Sequence, residues 1–352
     1  MSIFSVCRRH RGQRGLSLVE LMAALTIGMF VVLVIASVFV SSKRSSRYQE
    51  ATARLQENAR YAMELLSRTV RNSGYRGCGM VSKLSNVVTG GESNWWLNLS
   101  SPLIGYEGGV SAFPTYIAGP ASGTDALVTV GVDPSIEASV VSHNPVLAQF
   151  ETTAHSFQPG AIMVVTDCGY TTVFQMSGPT NGSNSATTVV HDSAAGSPSP
   201  GNCYKGLGAS CSATQKNYTF QPGSTLMKLS AHTYYVAASQ SGVGRSLWNI
   251  SLNGSGGTTA PVELIEGVDD LQLEYGEDTD GDGAPNRYVV ASDVSAWPQV
   301  VAVRVSLLMR TLEDNLSSTA QTYQYNGHTV TATDRRVRRS YTSVVTLRNR
   351  SQ

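Results

Sequence analysis

Three groups of residues in this 352-residue chain have types and spacings that could do chemistry. The first is Glu20, the single ionisable residue in an otherwise uncharged run over 16–40. A carboxylate at the centre of a helix in hydrocarbon costs roughly 2.5–3.5 kcal/mol on insertion scales, so a chain that keeps one there usually has a partner for it. Leu16 and Glu20 stand four residues apart and share one helix face. The second group lies in "DTDGDGAPN", where Asp278, Asp280 and Asp282 alternate and Gly283 follows. That is the first half of an EF-hand-like calcium loop, with oxygens at positions 1, 3 and 5 and glycine at 6. Position 7 would use the carbonyl of Ala284, Asn286 would stand at 9, and Glu274 or Glu277 would complete the shell. Position 12 is Val289 rather than a bidentate glutamate, and a solvated Asp-Gly turn between strands accounts for the same residues.

The third group is the cysteines. Cys7 precedes the apolar run, and Cys78, Cys168, Cys203 and Cys211 follow it. Four cysteines in an exported body allow two disulfides and three pairings. Cys203–Cys211 would close the short loop "CYKGLGASC", stabilising by about 2.5 kcal/mol in the chain-entropy model, and would leave Cys78–Cys168 as a long-range staple. A zinc site is disfavoured because no CxxC pair and no histidine at ligand spacing accompanies them.

Catalysis finds little support. His143, His155, His191, His232 and His328 stand in scattered contexts, and neither G-x-S-x-G nor H-E-x-x-H occurs. The chain is expected not to be an enzyme. Net charge is +1 and charged residues are 14%, below the roughly 25% of an average soluble domain, so no basic field points to nucleic acid. Basic residues cluster at the two ends: Arg8, Arg9, Arg11 and Arg14, then Arg335, Arg336, Arg338, Arg339, Arg348 and Arg350. Strand alternation assigns several of the late ones to a solvated edge. Trp95 and Trp96 read as core aromatics.

The elements that must position these residues begin with the apolar run itself. At 1.5 Å per residue, 16–40 reaches roughly 37 Å as a helix, enough to span a bilayer with tilt. The arginines before it keep the amino end cytoplasmic and export the remainder. A cleaved signal peptide would have a shorter apolar core, and "VIAS" at 34–37 is a poor cleavage site. The run continues without proline into an amphipathic segment over 41–74, whose apolar stripe is Ala51, Leu55, Ala59, Met63, Leu66 and Val70. Asn72-Ser73-Gly74 reads as a helix stop. One helix of roughly 85 Å therefore covers 16–72. Beyond it, β-branched, alternating segments separated by turn residues mark strands at 125–132, 161–168, 171–176, 186–191, 232–238, 246–252, 269–276, 298–311 and 341–350. The loops at 177–187 and 194–202 read as exposed insertions.

The segment "RGLSLVELMAALTIGMFVV" resembles the type III signal sequence of type IV pilins and type II secretion pseudopilins: a basic leader, a glycine, an apolar residue, and glutamate five residues into the mature chain. The resemblance implies cleavage between Gly15 and Leu16 by a prepilin peptidase and N-methylation of Leu16, where phenylalanine is the commoner residue. It gives Glu20 the amino terminus of a neighbouring subunit as its partner during assembly. The blocks "NSGYRGCG", "VVTDC…TVFQM", "YGEDTDGDG" and "VVAVRVSLLMRT…RRSYTSVVTLRNR" resemble the PilW family of minor pilins. The implied architecture is α+β and pilin-like. It comprises a leader over 1–15, a transmembrane and assembly helix over 16–40, an amphipathic helix over 41–74, and a β-rich periplasmic domain over 75–352. The implied work is priming and tip-complex formation at the inner membrane, with other minor pilins, the major pilin and a tip adhesin as partners and no specific nucleic acid. A type II secretion minor pseudopilin and a membrane-anchored periplasmic hydrolase or adhesin are the alternative readings.

Overall fold

The computed structural model describes residues 15, 17–78, 83–110, 112–179, 186–193, 198–211, 213–214, 216–347 and 349. Leu16, Cys7, the leader arginines, Arg348 and Arg350 lie outside the described residues. Helix α1, Leu18–Asn72, is 55 residues long. The chain divides into two compact units, 1–52 and 53–352. In the first, the side chains from Leu18 to Val40 are exposed, and by length and composition this stretch can cross a membrane.

In the second unit the last turns of α1 pack on a β-rich body, which makes the architecture α+β and pilin-like. Leu55, Ala59, Ala62, Leu66 and Val70 are buried in one cluster with Leu271, Tyr275, Val303, Leu307 and Leu347 and with Leu127, Tyr234 and Leu247. Spacings of three and four place them on one face. Ala62, not Met63, completes that stripe, and Met63 is only partly buried at its margin. The helix ends at Gly74, whose φ of +76° is a left-handed conformation that costs glycine least. The Gly74 N–H donates to Val130 in the body (2.9 Å). A Cβ on Gly131 would lie 2.4 Å from the Asn72 carbonyl oxygen, so glycine there lets the helix end rest on the strand.

Two sheets build the body. The larger has ten strands, in the order Lys83–Asn86, Tyr170–Gln175, Ile162–Thr166, Thr225–Ala238, Ala126–Asn144, Gln149–Thr152 and Thr188–Val190. Leu103–Tyr106 pairs with Ala126–Asn144, and Arg245–Ser251 pairs with both Thr225–Ala238 and Val262–Glu266. The chain just beyond Tyr170–Gln175 meets the last strand, since Ser177 N–H donates to Val190 and Val190 N–H donates to Gly178 (both 2.8 Å). Six strands thereby close on themselves around Phe150, Phe174, Phe220 and Met163. The second sheet is antiparallel, Arg287–Val289, Val268–Glu277, Val300–Arg310, Arg338–Thr346. A separate hairpin, Thr322–Tyr325 and His328–Thr331, turns at Asn326-Gly327 with positive φ at both residues, as a tight hairpin turn requires.

All nine expected strands are present, and the structure adds short ones that lack a strong pattern, such as Lys83–Asn86 and Gln149–Thr152. Cys78–Cys168 and Cys203–Cys211 are the two disulfides. Trp96 is buried and Trp95 half-buried, stacked on Tyr116 at 5.1 Å between ring centroids.

Candidate functional site

At the amino end of α1 the carboxylate of Glu20 already has a local partner. Ser17 N–H donates to Glu20 Oε2 (2.9 Å), and Glu20 N–H donates to Ser17 Oγ (3.2 Å). This is a reciprocal capping box, which satisfies two of the backbone donors that a helix start leaves unpaired. The Ser-x-x-Glu spacing at 17–20 carried this signal, which the periodicity argument passed over. Gly15 is exposed, and Leu16 lies outside the described residues. Among those residues Glu20 Oε1 accepts no hydrogen bond.

The aspartate loop joins Val268–Glu277 to Arg287–Val289 as the turn of a hairpin. Asp278, Asp280 and Asp282 each present a carboxylate oxygen within 4.8 Å of the others, a donor set of the kind hard cations take. Asp278 is the organiser: Oδ1 accepts Gly281 N–H (2.6 Å) and Oδ2 accepts Gly283 N–H (2.8 Å). The N–H groups of Gly283 and Gly281 hold its carboxyl below the usual range. Asn286 Oδ1 accepts from Thr279 N–H (2.6 Å) and its Nδ2 donates to Asp280 Oδ2 (3.1 Å), so the amide closes the loop. Neither glutamate expected to complete a shell is directed there. Glu274 pairs with Arg304 at 2.7 Å. Glu277, fully buried, accepts from Ser295 N–H (2.8 Å) and Arg287 Nε (2.9 Å) and anchors the base of the hairpin.

The histidines are less scattered than the sequence suggested. His143 and His191 bring their Nε2 atoms to 3.1 Å inside the closed barrel, and His143 stacks on Phe150 with ring centroids 4.0 Å apart. Burial pushes their pKa values down to about 4 and about 3, so both stay neutral above mild acidity. His143 Nδ1 accepts Phe220 N–H (3.1 Å), which fixes its tautomer. The pair reads as packing: phenylalanines surround it. His232 lines a cleft with Arg68, Asp133 and Lys228, and bonds Ser230 Oγ at 3.1 Å. His155 stacks on Phe157, and His328 is exposed on the two-stranded hairpin.

The late arginines correct the reading of a solvated edge. Arg338 is buried, with Nε 3.0 Å from Asp269 Oδ2 and a two-point contact to Asp334. Arg310 meets the other oxygen of Asp269 at 3.0 Å, and Arg336 contacts Asp334. Asp269 lies 69 residues from Arg338 and Asp334 only four, and strand alternation alone could not show that the side chains turn inward. Arg335 and Arg339 are exposed as expected.

Two family models match the chain. Residues 233–349 match the type IV pilus-assembly protein W family, and residues 10–38 match the prokaryotic N-terminal methylation motif. No curated protein and no solved structure matches it. The first match takes in the four-stranded sheet and the aspartate loop, while most of the closed barrel lies before it. The second covers Gly15, Glu20 and the apolar part of α1. Together they support a role in type IV pilus assembly.

Proposed function

We propose that this protein is a type IV pilus minor pilin that works by assembly rather than catalysis. A prepilin peptidase cuts it between Gly15 and Leu16 and the new amino terminus of Leu16 is N-methylated. Residues 16–40 then hold it in the inner membrane with the body in the periplasm. With other minor pilins it forms a priming and tip complex from which the major pilin polymerises. The observation that carries this reading is the methylation-motif match laid directly over an apolar helix start that holds Glu20.

The physics of Glu20 supplies the mechanism. The capping box holds Oε2 on Ser17 and survives the cut, because the Ser17 N–H belongs to the bond that follows Leu16. Oε1, which accepts no hydrogen bond from a described residue, would take the Leu16 ammonium of a neighbouring subunit. In hydrocarbon an unpaired charge is costly, so the pairing favours the assembled state and sets the axial register. Mass spectrometry of the amino-terminal peptide from membrane-extracted protein tests the reading. A peptide beginning at N-methylated Leu16 supports it; an intact Met1, or a cut near Ala36, removes it.

The aspartate loop extends the proposal to Ca2+, held by Asp278, Asp280 and Asp282 with the Ala284 carbonyl. Asn286 joins only by giving up Thr279, so the three carboxylates carry the affinity. Isothermal titration of the full chain with Ca2+ should show binding that Asp280→Ala weakens at least about tenfold, a loss of about 1.4 kcal/mol. No heat with either protein rejects the site.

A further inference from the structure

Where α1 ends, one side of the ten-stranded sheet carries a polar cleft that the assembly reading leaves without a role. Strand pairing sets out its floor: Thr129 lies opposite His232, Gly131 opposite Ser230 and Asp133 opposite Lys228, and Ser251 follows beyond His232 on the next strand. Directly opposite residues share one face of a sheet, and their neighbours in sequence face the other way. Those neighbours, Val130, Val132, Leu229 and Ala231, are buried in an apolar core. The last turns of α1 come to rest on Gly131 and bring Arg68 and Asn72 to the border. The enclosed space is about 740 Å3, within the range of small-molecule sites.

The cleft holds two cations that no acidic group touches. Among the described residues Arg68 and Lys228 have neither an ion pair nor a side-chain hydrogen bond. Asp133 stands in the same cleft, but Ser135 takes its Oδ1 through the N–H (2.9 Å) and the hydroxyl (2.6 Å), and Oδ2 accepts from no described residue. Although burial opposes it, those bonds and the charges of Arg68 and Lys228 hold the Asp133 carboxyl below its usual range. His232 is neutral: burial lowers its pKa, and Asn249 Nδ2, which can only donate, lies 3.5 Å from its Nδ1. The ring proton is then on Nε2 and goes to Ser230 Oγ (3.1 Å), so the Ser230 hydroxyl keeps its own hydrogen for another acceptor. Arg68 and Lys228 against Asp133 leave the cleft one net positive charge.

We propose that this cleft binds an acidic sugar of the hexuronate class, with its carboxylate taken by Arg68 and Lys228 and its ring hydroxyls by Asp133 and Ser230. One net positive charge matches a carboxylate monoanion better than a phosphate dianion. Asp133 Oδ2 can only accept, so it calls for a donor, which a sugar hydroxyl supplies and an inorganic anion lacks. A floor that pairs Asp133 with Lys228 and Thr129 with His232 offers no seat for an acyl chain. The sugar comes either free or as a unit of an acidic polysaccharide, and the contacts to Arg68 and Lys228 are the same in both.

Saturation-transfer NMR with the full chain in detergent micelles tests it, with sodium D-galacturonate as the probe and D-galactose and D-galactose 6-phosphate as comparisons. Galacturonate should bind at least about tenfold tighter than galactose, and tighter than the phosphate. Arg68→Met and Lys228→Met should each weaken galacturonate at least about tenfold at an unchanged melting temperature. Arg68 is exposed on α1, so its variant should fold. Asp133→Asn raises the charge of the cleft by one and should move the preference towards the phosphate. Tetragalacturonate binding tighter than the monomer assigns the sugar to a polysaccharide, and equal binding assigns a free one. Equal binding of galactose and galacturonate, tighter binding of the phosphate by the parent, undiminished binding to folded Arg68→Met, or no binding of any of them overturns the proposal.

Discussion

Asp125 shows how one buried carboxyl can tie two sheets together and make stability depend on pH. Its N–H donates to Leu271 (2.9 Å), its Oδ2 accepts Leu273 N–H (2.7 Å), and its Oδ1 accepts Gly108 N–H (2.9 Å). Burial pushes its pKa up to about 7 despite those two donors, and the neighbouring Glu107 and Asp270 add to the effect. A raised carboxyl binds a proton in the folded state that the unfolded chain has already released. Its contribution is therefore fully present below about pH 4 and is lost as pH rises towards about 7. The shift corresponds to at most about 4 kcal/mol. His143 and His191 act in the opposite direction: with depressed values they favour the folded state above about 6.5 and penalise it as pH falls towards 3–4. Comparing Asp125→Asn with the parent separates the two. In urea unfolding, the parent's advantage over the variant should shrink between pH 4.5 and pH 7.5. A constant difference would mean that Asp125 is ionised in the fold.

At the scale of elements, α1 is where sequence and structure agree best. Its apolar stripe repeats at helical spacing, and only the exchange of Met63 for Ala62 separates the expected face from the buried one. Leu66 is fully buried at the centre of that face, so Leu66→Ala should cost about 2–5 kcal/mol, read as a lowered urea midpoint at unchanged slope. Arg60, exposed on the opposite face, should tolerate alanine within about 0.5 kcal/mol. The long strands were equally legible because β-branched alternation persists over many residues. Short ones such as Gln149–Thr152 were not, because four residues hold too little pattern and their burial is decided by neighbours. Closure of the barrel depends on two hydrogen bonds between Ser177–Gly178 and Val190, and the His143–His191 contact joins residues 48 apart; neither has a local signature. The candidate site divides the same way. The aspartates were visible as a run, whereas the diversion of Glu274 and Glu277 to Arg304 and Arg287 is a property of the folded sheet. Arg338 turned inward for a similar reason, since Asp269 reaches it from 69 residues away, beside the local Asp334 four residues before it.

Across the whole molecule, the two disulfides have different reach. Cys203–Cys211 spans 8 residues, and Cys78–Cys168 spans 90 and joins the chain just after α1 to the turn between two barrel strands. In the chain-entropy picture the short bridge stabilises by about 2.5 kcal/mol and the long one by about 4.5 kcal/mol. Their consequences should differ in kind as well as size. Cys203 and Cys211 bracket a local loop, so Cys203→Ser with Cys211→Ser should speed amide exchange mainly within 203–211, with a modest fall in melting temperature. Replacing Cys78 and Cys168 by serine should lower the melting temperature more, by about 10 °C on the usual scaling. It should also loosen the strands Ile162–Thr166 and Tyr170–Gln175 while leaving the sheet around Val300–Arg310 protected. That sheet lies within the family match at 233–349 and holds the last turns of α1. If both pairs of substitutions loosened it equally, the barrel and the four-stranded sheet would unfold as one cooperative unit. Differential loosening would instead identify the barrel as an addition stapled to a pilin-like base, able to vary without disturbing the packing of α1.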